Sequence, residues 1–492
     1  MATVYSKDNT TSYRSILKAT SLFGSVQVYQ ILIQVLRAKV IAILLGPVGV
    51  GVLGLFQSAI QFFQNLTNMG LSQSAVRDVS EAFGAKNEEK VAIVTAVVRR
   101  LVWITGIFGS LIVACLSPVI SKISFGNYDY TFSFFFLALT LLLDQVCAGQ
   151  KVILQGTRKL KDLAKTISIG ATFGLIVSIP LYYILGIHGI VPTLILNSLM
   201  ALAISWYYSR KVHIKKAEIN TKQTIQYGRQ MLRMGLAMSI SGIMATFAAF
   251  VLRSYIREIG GTDEVGYFQA GYVIVFSYVG LVFNAMATDY YPRLASVNED
   301  NDKCRQIVNL QGEIATLILS PLLCMCIVFM PFAVTLLYSD KFMPANDYIT
   351  WACLGMMFRL SSWLLSYVLV AKAETKLFMY NEIAANIYTL VFSLVGYNLY
   401  GITGLGLAFC LTYILYYIQV YAIVRLKYNF SFSFGFVMIF SVQLFLITCC
   451  LLAVLELDGI MRYVIGCSSI IFALILSVTG LFKRLKLRSL NN

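Results

Sequence analysis

The chain has 492 residues, of which 58% are hydrophobic and only 13% charged, with a formal net charge of +16. No soluble protein of this size buries that much apolar surface, so the composition excludes a soluble globular enzyme and indicates a polytopic membrane protein. The excess of Lys and Arg is not a nucleic-acid footprint, because no basic–aromatic module accompanies it.

Residues 1–15 are polar and lack an apolar core with a small-residue exit, so no cleavable signal is expected. Breaks between apolar runs then give about fourteen spans, near 16–45, 49–76, 95–117, 130–150, 165–185, 190–209, 232–256, 264–291, 310–338, 346–370, 377–398, 402–424, 434–455 and 460–482. Of the 39 Lys and Arg, 31 fall in the N-terminus, the C-terminal tail and alternate connections. The opposite connections hold only Lys122, Arg257, Lys341 and Arg462. That asymmetry follows the positive-inside rule and predicts that both termini are cytoplasmic.

The stretch 27–77 occurs twice. A helix through 26–45, a Gly46-Pro47-Val48-Gly49 turn and a return helix to about Asp78 come back roughly 216 positions later. Leu36-Arg37 falls on Leu252-Arg253, Asn68 on Asn284 and Arg77 on Arg293. Further along, Gly186-Ile187-His188-Gly189 falls on Gly401-Ile402-Thr403-Gly404 at a shift of 215. A tandem duplication in a membrane protein points to a transporter of two related halves. The expected fold is all-α, with two pseudo-symmetric six-helix bundles at 1–209 and 232–427. A polar cytoplasmic linker at 210–231 joins them, and 428–492 adds a two-helix hairpin with a basic tail.

Polar side chains inside spans are costly in lipid unless they face protein or water. In span 1, Gln27, Gln30, Gln34 and Arg37 share one helical face. In span 2, Gln57, Gln61, Gln64, Asn65, Asn68 and Ser72 form a longer stripe. Two amide-lined faces suit a hydrated cavity. The second half is sparser, with Gln269, Tyr272, Asn284 and Thr288 scattered along span 8. Four cations, Arg37, Lys39, Arg253 and Arg359, fall outside any loop. The repeat pairs Arg37 with Arg253, and the planar donor fork of Arg suits a phosphate or diphosphate. Lys39 points to roughly the opposite face from Arg37. Asp289, four residues before Arg293, is expected to pair with it. Asp144 and Glu382 lie deeper and are candidates for a coupling H+ or Na+. No GxxxxGK[ST] occurs, the two histidines sit at loop edges, and the ten cysteines show no metal spacing, so no cofactor or metal is expected.

With these residues in view, the chain resembles the O-antigen flippases (Wzx-type translocases) of the multidrug/oligosaccharidyl-lipid/polysaccharide exporter superfamily. The segments that carry the resemblance are LLGPVGVGVLGLFQ at 44–57, TDEVGYFQAGYVIVFSYV at 262–279, LLYSDKFMPANDYITWACLG at 336–355 and YVLVAKAETKLFMYNEI at 367–383. The resemblance implies two bundles forming a V around a central cavity. It also implies an undecaprenyl-diphosphate-linked oligosaccharide as substrate, moved from the cytoplasmic to the periplasmic leaflet of a bacterial inner membrane. Other polysaccharide assembly proteins are the partners it suggests. Cationic residues would hold the diphosphate, which suits Arg37, Arg253 and Arg359. The competing expectations are a cation-coupled multidrug exporter of the same superfamily, disfavoured by the basic or neutral span 1 and span 7 faces, and a membrane polysaccharide polymerase or ligase, disfavoured by short outer connections.

Overall fold

A computed structural model describes residues 4–490 apart from 216 and 218. Its side chains are described over 25–482, with 216, 218, 223, 237, 238, 278, 281, 284, 285 and 288 outside the description. The described residues form thirteen α-helices and no strand: α1 Val4–Asn68, α2 Leu71–Gly84, α3 Glu88–Phe125, α4 Thr131–Gly156, α5 Leu160–Leu185, α6 Ile190–Arg210, α7 Thr221–Val273, α8 Leu281–Ala295, α9 Asn301–Leu337, α10 Ala345–Ala371, α11 Thr375–Tyr428, α12 Phe434–Glu456 and α13 Gly459–Leu490. In hydrocarbon, backbone polar groups must be satisfied within the chain, and long helices do this.

Ten helical segments among the described residues are long and apolar enough to cross a membrane, and the chain is a multi-pass membrane protein. Four of the ten run 39 to 54 residues and are broken by a glycine at positive φ. The fourteen expected spans are therefore not all separate helices. The turn expected at 46–49 is a single residue, Gly46, at φ 64° and ψ −170°. Span 2 stops at Asn68, where Met69 and Gly70 turn left-handed, and the chain continues as the separate α2. The linker is half helix, since α7 begins at Thr221.

The backbone carries the duplication more sharply than the side chains do. Gly46 recurs as Gly261, at φ 88° and ψ 178°. Gly186, at φ 56° and ψ −131°, recurs as Gly401, at φ 56° and ψ −136°. This region is open to glycine and closed to residues with a Cβ. Lys159 and Glu374 share φ −79° and ψ 57°. All three pairs lie 215 apart. Between Ile274 and Val279 a π-helix, with a Gly280 N–H to Val275 C=O bond of 3.2 Å, adds one residue. A π-bulge of this kind lengthens a helix by one residue without unfolding it. It explains why Asn68 and Asn284 lie 216 apart.

The glycine anchors also correct one pairing. Unbroken helix leads into both Gly46 and Gly261, so Arg37 stands nine residues before its anchor and Arg253 only eight. Arg37 is equivalent to Leu252, and Arg253 to Ala38. One residue is about 100° of helix rotation, so the two guanidinium groups are not repeat partners.

Packing divides the chain into two units, Met1–Glu258 and Ile259–Asn492. The first includes the part of α7 that precedes Gly261. Its core near the predicted cytoplasmic end joins Leu71, Val79, Val97, Leu101, Val152 and Met231. A Cβ on Gly70 would lie 2.1 Å from the Gly235 carbonyl oxygen, a backbone approach that only glycine permits. Arg257 donates from Nε to Ser124 O at 2.9 Å and from Nη2 to Ile123 O at 3.0 Å. It thereby caps the carbonyl end of α3. In the second unit, Tyr290 is fully buried and donates to Leu364 O at 2.8 Å. Asp289 and Arg293 form the expected ion pair at 2.9 Å.

Candidate functional site

In the first unit, α1, α4 and α6 enclose a cavity of about 320 Å³. Its lining consists of Gln57, Ile60, Gln61 and Gln64 from α1, Thr140 and Asp144 from α4, and Leu194 and Ser198 from α6. The helical spacing of the glutamines aims three amides, each with two donors and an acceptor, at one space. Asp144 is half-buried and shares the cavity lining with the Ser198 hydroxyl. No Lys or Arg among the described residues forms an ion pair with it. Asn68 does not join this lining. It sits one turn further along with Ser72, and its Oδ1 accepts from Gln145 Nε2 at 3.2 Å. Gln145 Nε2 also donates to Thr105 at 2.9 Å, so Asn68 belongs to a buried interhelical network.

Arg37 lies on α1 before the Gly46 break. Its Nε and Nη2 are buried without a hydrogen-bond partner among the described residues, and so are both amide atoms of Asn197 on α6. The two side chains converge at Gly174 of α5. A Cβ there would lie 3.4 Å from Asn197 Oδ1 and 3.9 Å from Arg37 Nη1. Arg253 is spent differently: it is 6% exposed and its Nη1 donates to Ala249 O of its own helix at 3.0 Å. Lys39 is half-buried. Gln27, Gln30 and Gln34 are exposed and line none of the described cavities. A larger cavity of about 840 Å³ opens among the basic loops beside Lys86, Arg158, His213 and Lys215, away from the predicted stripes.

In the second unit, Arg359 of α10 lies in an aromatic cage. Its guanidinium is 4.3 Å from the Phe276 ring centre, 5.2 Å from that of Phe283 and 5.6 Å from that of Tyr413. Cation–π contact of this kind stabilises a guanidinium that lipid would otherwise penalise. The side chain of Asn284 lies outside the described residues. Glu382 accepts a short hydrogen bond from Tyr416. Asn381 Nδ2 donates to the Tyr416 oxygen at 3.1 Å, and Gln419 Nε2 donates to Asn381 Oδ1. Glu382 has no ion-pair partner among the described residues; Tyr416 bonds its carboxyl, and Asn381 and Gln419 extend that chain of hydrogen bonds across the two halves of α11.

Sequence reasoning missed Thr140, Ser198, Asn197, Asn381, Tyr416 and Gln419. Single hydroxyls and amides in apolar helices give no periodic signal. Only a register that placed α4 and α6 against α1 would have selected them.

Comparison with known proteins adds three findings. The model of the family described as "Polysaccharide biosynthesis protein" matches residues 40–347. The chain is 21% identical over 407 residues to the Lipid III flippases of Escherichia coli (strain K12) and of Shigella flexneri, covering 82% of this chain and 96% of each relative. Among solved structures, an inward-facing multidrug resistance MATE family transporter of the MOP superfamily superposes with a TM-score of 0.67 at 14% identity. That match covers 81% of this chain and 94% of the transporter. The lipid II flippase MurJ in an inward closed conformation superposes with a TM-score of 0.65 at 13% identity, covering 95% and 99%. At these identities the structural matches establish the fold.

Proposed function

The chain belongs to the polysaccharide biosynthesis protein family, and from that premise we propose that it is a flippase for a lipid-linked oligosaccharide. The substrate class is a polyprenyl-diphosphate saccharide, such as an undecaprenyl-diphosphate-linked repeat unit of O-antigen or a similar polysaccharide. It is carried from the cytoplasmic to the periplasmic leaflet of the inner membrane by alternating access. The chemistry is transport, with no covalent step.

One observation carries this reading: a half-buried guanidinium with two nitrogens unpartnered among the described residues and an amide-lined cavity occupy the same unit. Orphaned donors cost roughly 1–3 kcal/mol each, and more when charged. Arg37 Nε and Nη2 and the Asn197 amide are thus poised for an acceptor that arrives with the substrate. A diphosphate supplies such acceptors in the planar geometry that Arg prefers. The Gln57, Gln61 and Gln64 amides replace the hydration of sugar hydroxyls while the head group crosses about 30 Å of hydrocarbon. Glu382, held by hydrogen bonds without a counter-cation, is the group we assign to coupling with H+ or Na+.

The test is deletion of the protein in cells that make the matching polysaccharide. We expect surface polysaccharide to fall and lipid-linked units to accumulate facing the cytoplasm. Unchanged surface polysaccharide would overturn the flippase reading.

A further inference from the structure

The cavity of the first unit has a counterpart position in the second, and the described residues there are largely aromatic. At the offset of 215, Gln57 becomes Tyr272, Gln61 becomes Phe276 and Thr140 becomes Gly355. Asp144 becomes Arg359, Leu194 becomes Phe409 and Ser198 becomes Tyr413. The aromatic residues pack against one another: Tyr272 stacks on Phe276 at 4.3 Å, Phe276 meets Phe409 at 5.5 Å, and Phe409 meets Tyr413 at 4.7 Å. Arg359 lies over the Phe276 and Tyr413 rings. Among the described residues, rings and a guanidinium therefore stand where the first unit has amides, hydroxyls and a carboxylate. The first unit forgoes that packing and keeps a polar opening, although protein interiors close such voids wherever sequence allows.

The opening is the wrong size and chemistry for an ion alone. At about 30 Å³ of liquid volume per water, 320 Å³ corresponds to about ten waters, and this is the lower end of ligand-sized cavities. A bound cation needs oxygens converging on one point. Here the glutamines contribute N–H donors as well as acceptors. An apolar drug is equally poorly served, because only Ile60 and Leu194 are apolar. Mixed amides, two hydroxyls and one carboxylate without a cationic partner match a compact ligand rich in O–H groups.

We propose that this cavity is a saccharide subsite that takes one sugar residue of the head group, with Asp144 accepting from its hydroxyls. The inference rests on the flippase reading for its substrate, and it moves Asp144 from ion coupling to sugar recognition. The carboxylate is the specificity-determining acceptor, and the glutamines and the Ser198 hydroxyl complete the shell.

The experiment measures binding of two probes to the purified full chain in nanodiscs: a polyprenyl diphosphate bearing one hexose, and the same lipid without sugar. We expect wild type to bind the hexose-bearing probe about tenfold more tightly, as one or two charge-assisted hydrogen bonds would give. Asp144→Asn should erase that difference while leaving affinity for the bare lipid unchanged, and Gln61→Leu should reduce it in the same direction. Equal binding of both probes by wild type would overturn the subsite, as would an Asp144→Asn variant that weakens both probes alike. If wild type binds as expected yet moves neither lipid across liposomes, the subsite stands and the flippase reading falls.

Discussion

The two halves of this chain share a backbone and differ in what fills it. Around α1, α4 and α6 the first unit is open, amide-lined and acidic at Asp144. The equivalent positions of the second unit carry Phe276, Phe409 and Tyr413 around Arg359. The contrast reverses elsewhere. The Asn381, Glu382, Tyr416 and Gln419 network of α11 falls on Thr166, Ile167, Ala201 and Ile204 of α5 and α6. Even a paired tyrosine diverges: Tyr397 bonds Glu264, whereas its equivalent Tyr182 is buried with an unpartnered hydroxyl because Gly49 stands at the glutamate's position. Duplication supplied two copies of one scaffold, and at these places the polar side chains differ between the copies. We read this as a division of roles, with head-group binding in the first unit and coupling in the second.

That division makes ordered predictions. The largest effect is expected at Arg37: Arg37→Ala should slow translocation about a hundredfold, equivalent to ~2.7 kcal/mol, the range of a lost charged hydrogen bond. Arg253→Ala, one residue out of register and bonded to its own helix, should lower the thermal midpoint in detergent more than it lowers translocation at equal protein level. Reconstituted transport and a melting curve on both variants check this pair. If Arg253→Ala abolished transport with normal stability, the register argument would fail.

Next in size is Glu382→Gln. It should remove the response of transport to an imposed H+ or Na+ gradient, a loss of about tenfold, while leaving lipid affinity intact. Tyr416→Phe should weaken the response less, because it removes one donor and keeps the carboxyl. A gradient response that survives Glu382→Gln would move coupling elsewhere.

A swap of fillings is smaller in effect but sharper in what it discriminates. Gln61→Phe gives the first unit the ring of the second and should cost about tenfold in affinity for the sugar-bearing lipid. Phe276→Gln should leave that affinity alone and destabilise the second unit by about 2–4 kcal/mol, since a core ring and a cation–π contact go together. The smallest and most symmetric effect concerns Gly186→Ala and Gly401→Ala. Each should cost about 1–3 kcal/mol through backbone strain, and the two should be alike because their torsions are alike. Unequal losses in thermal melts would show that the two breaks are not doing the same job.

Much of this fold was legible in the sequence, for physical reasons that also explain the misses. Apolar run length marks helices in lipid. The shift of 215 or 216 exposed the duplication, because glycines such as Gly186 and Gly401 are retained where the backbone takes torsions that other residues rarely adopt. The helix breaks were harder to see. Met69 and Gly70 end α1 in the middle of a good stripe, and nothing in the local composition announces the π-helix at 274–279. The candidate site was only partly readable. The spacing of Gln57, Gln61 and Gln64 gave one wall of the cavity. The walls from α4 and α6 needed tertiary register, as did the separation of Arg37 from Arg253.

The most direct test of the central claim is a photocrosslinking map with a lipid-linked oligosaccharide that carries a photoreactive group on its first sugar. The full chain in native-like bilayers would be irradiated, digested and read by mass spectrometry. The account predicts adducts on α1, α4 and α6 of the first unit, around residues 57–64, 140–144 and 194–198, and their loss in Gln61→Phe. Adducts concentrated on α10 and α11, unaffected by that substitution, would contradict it.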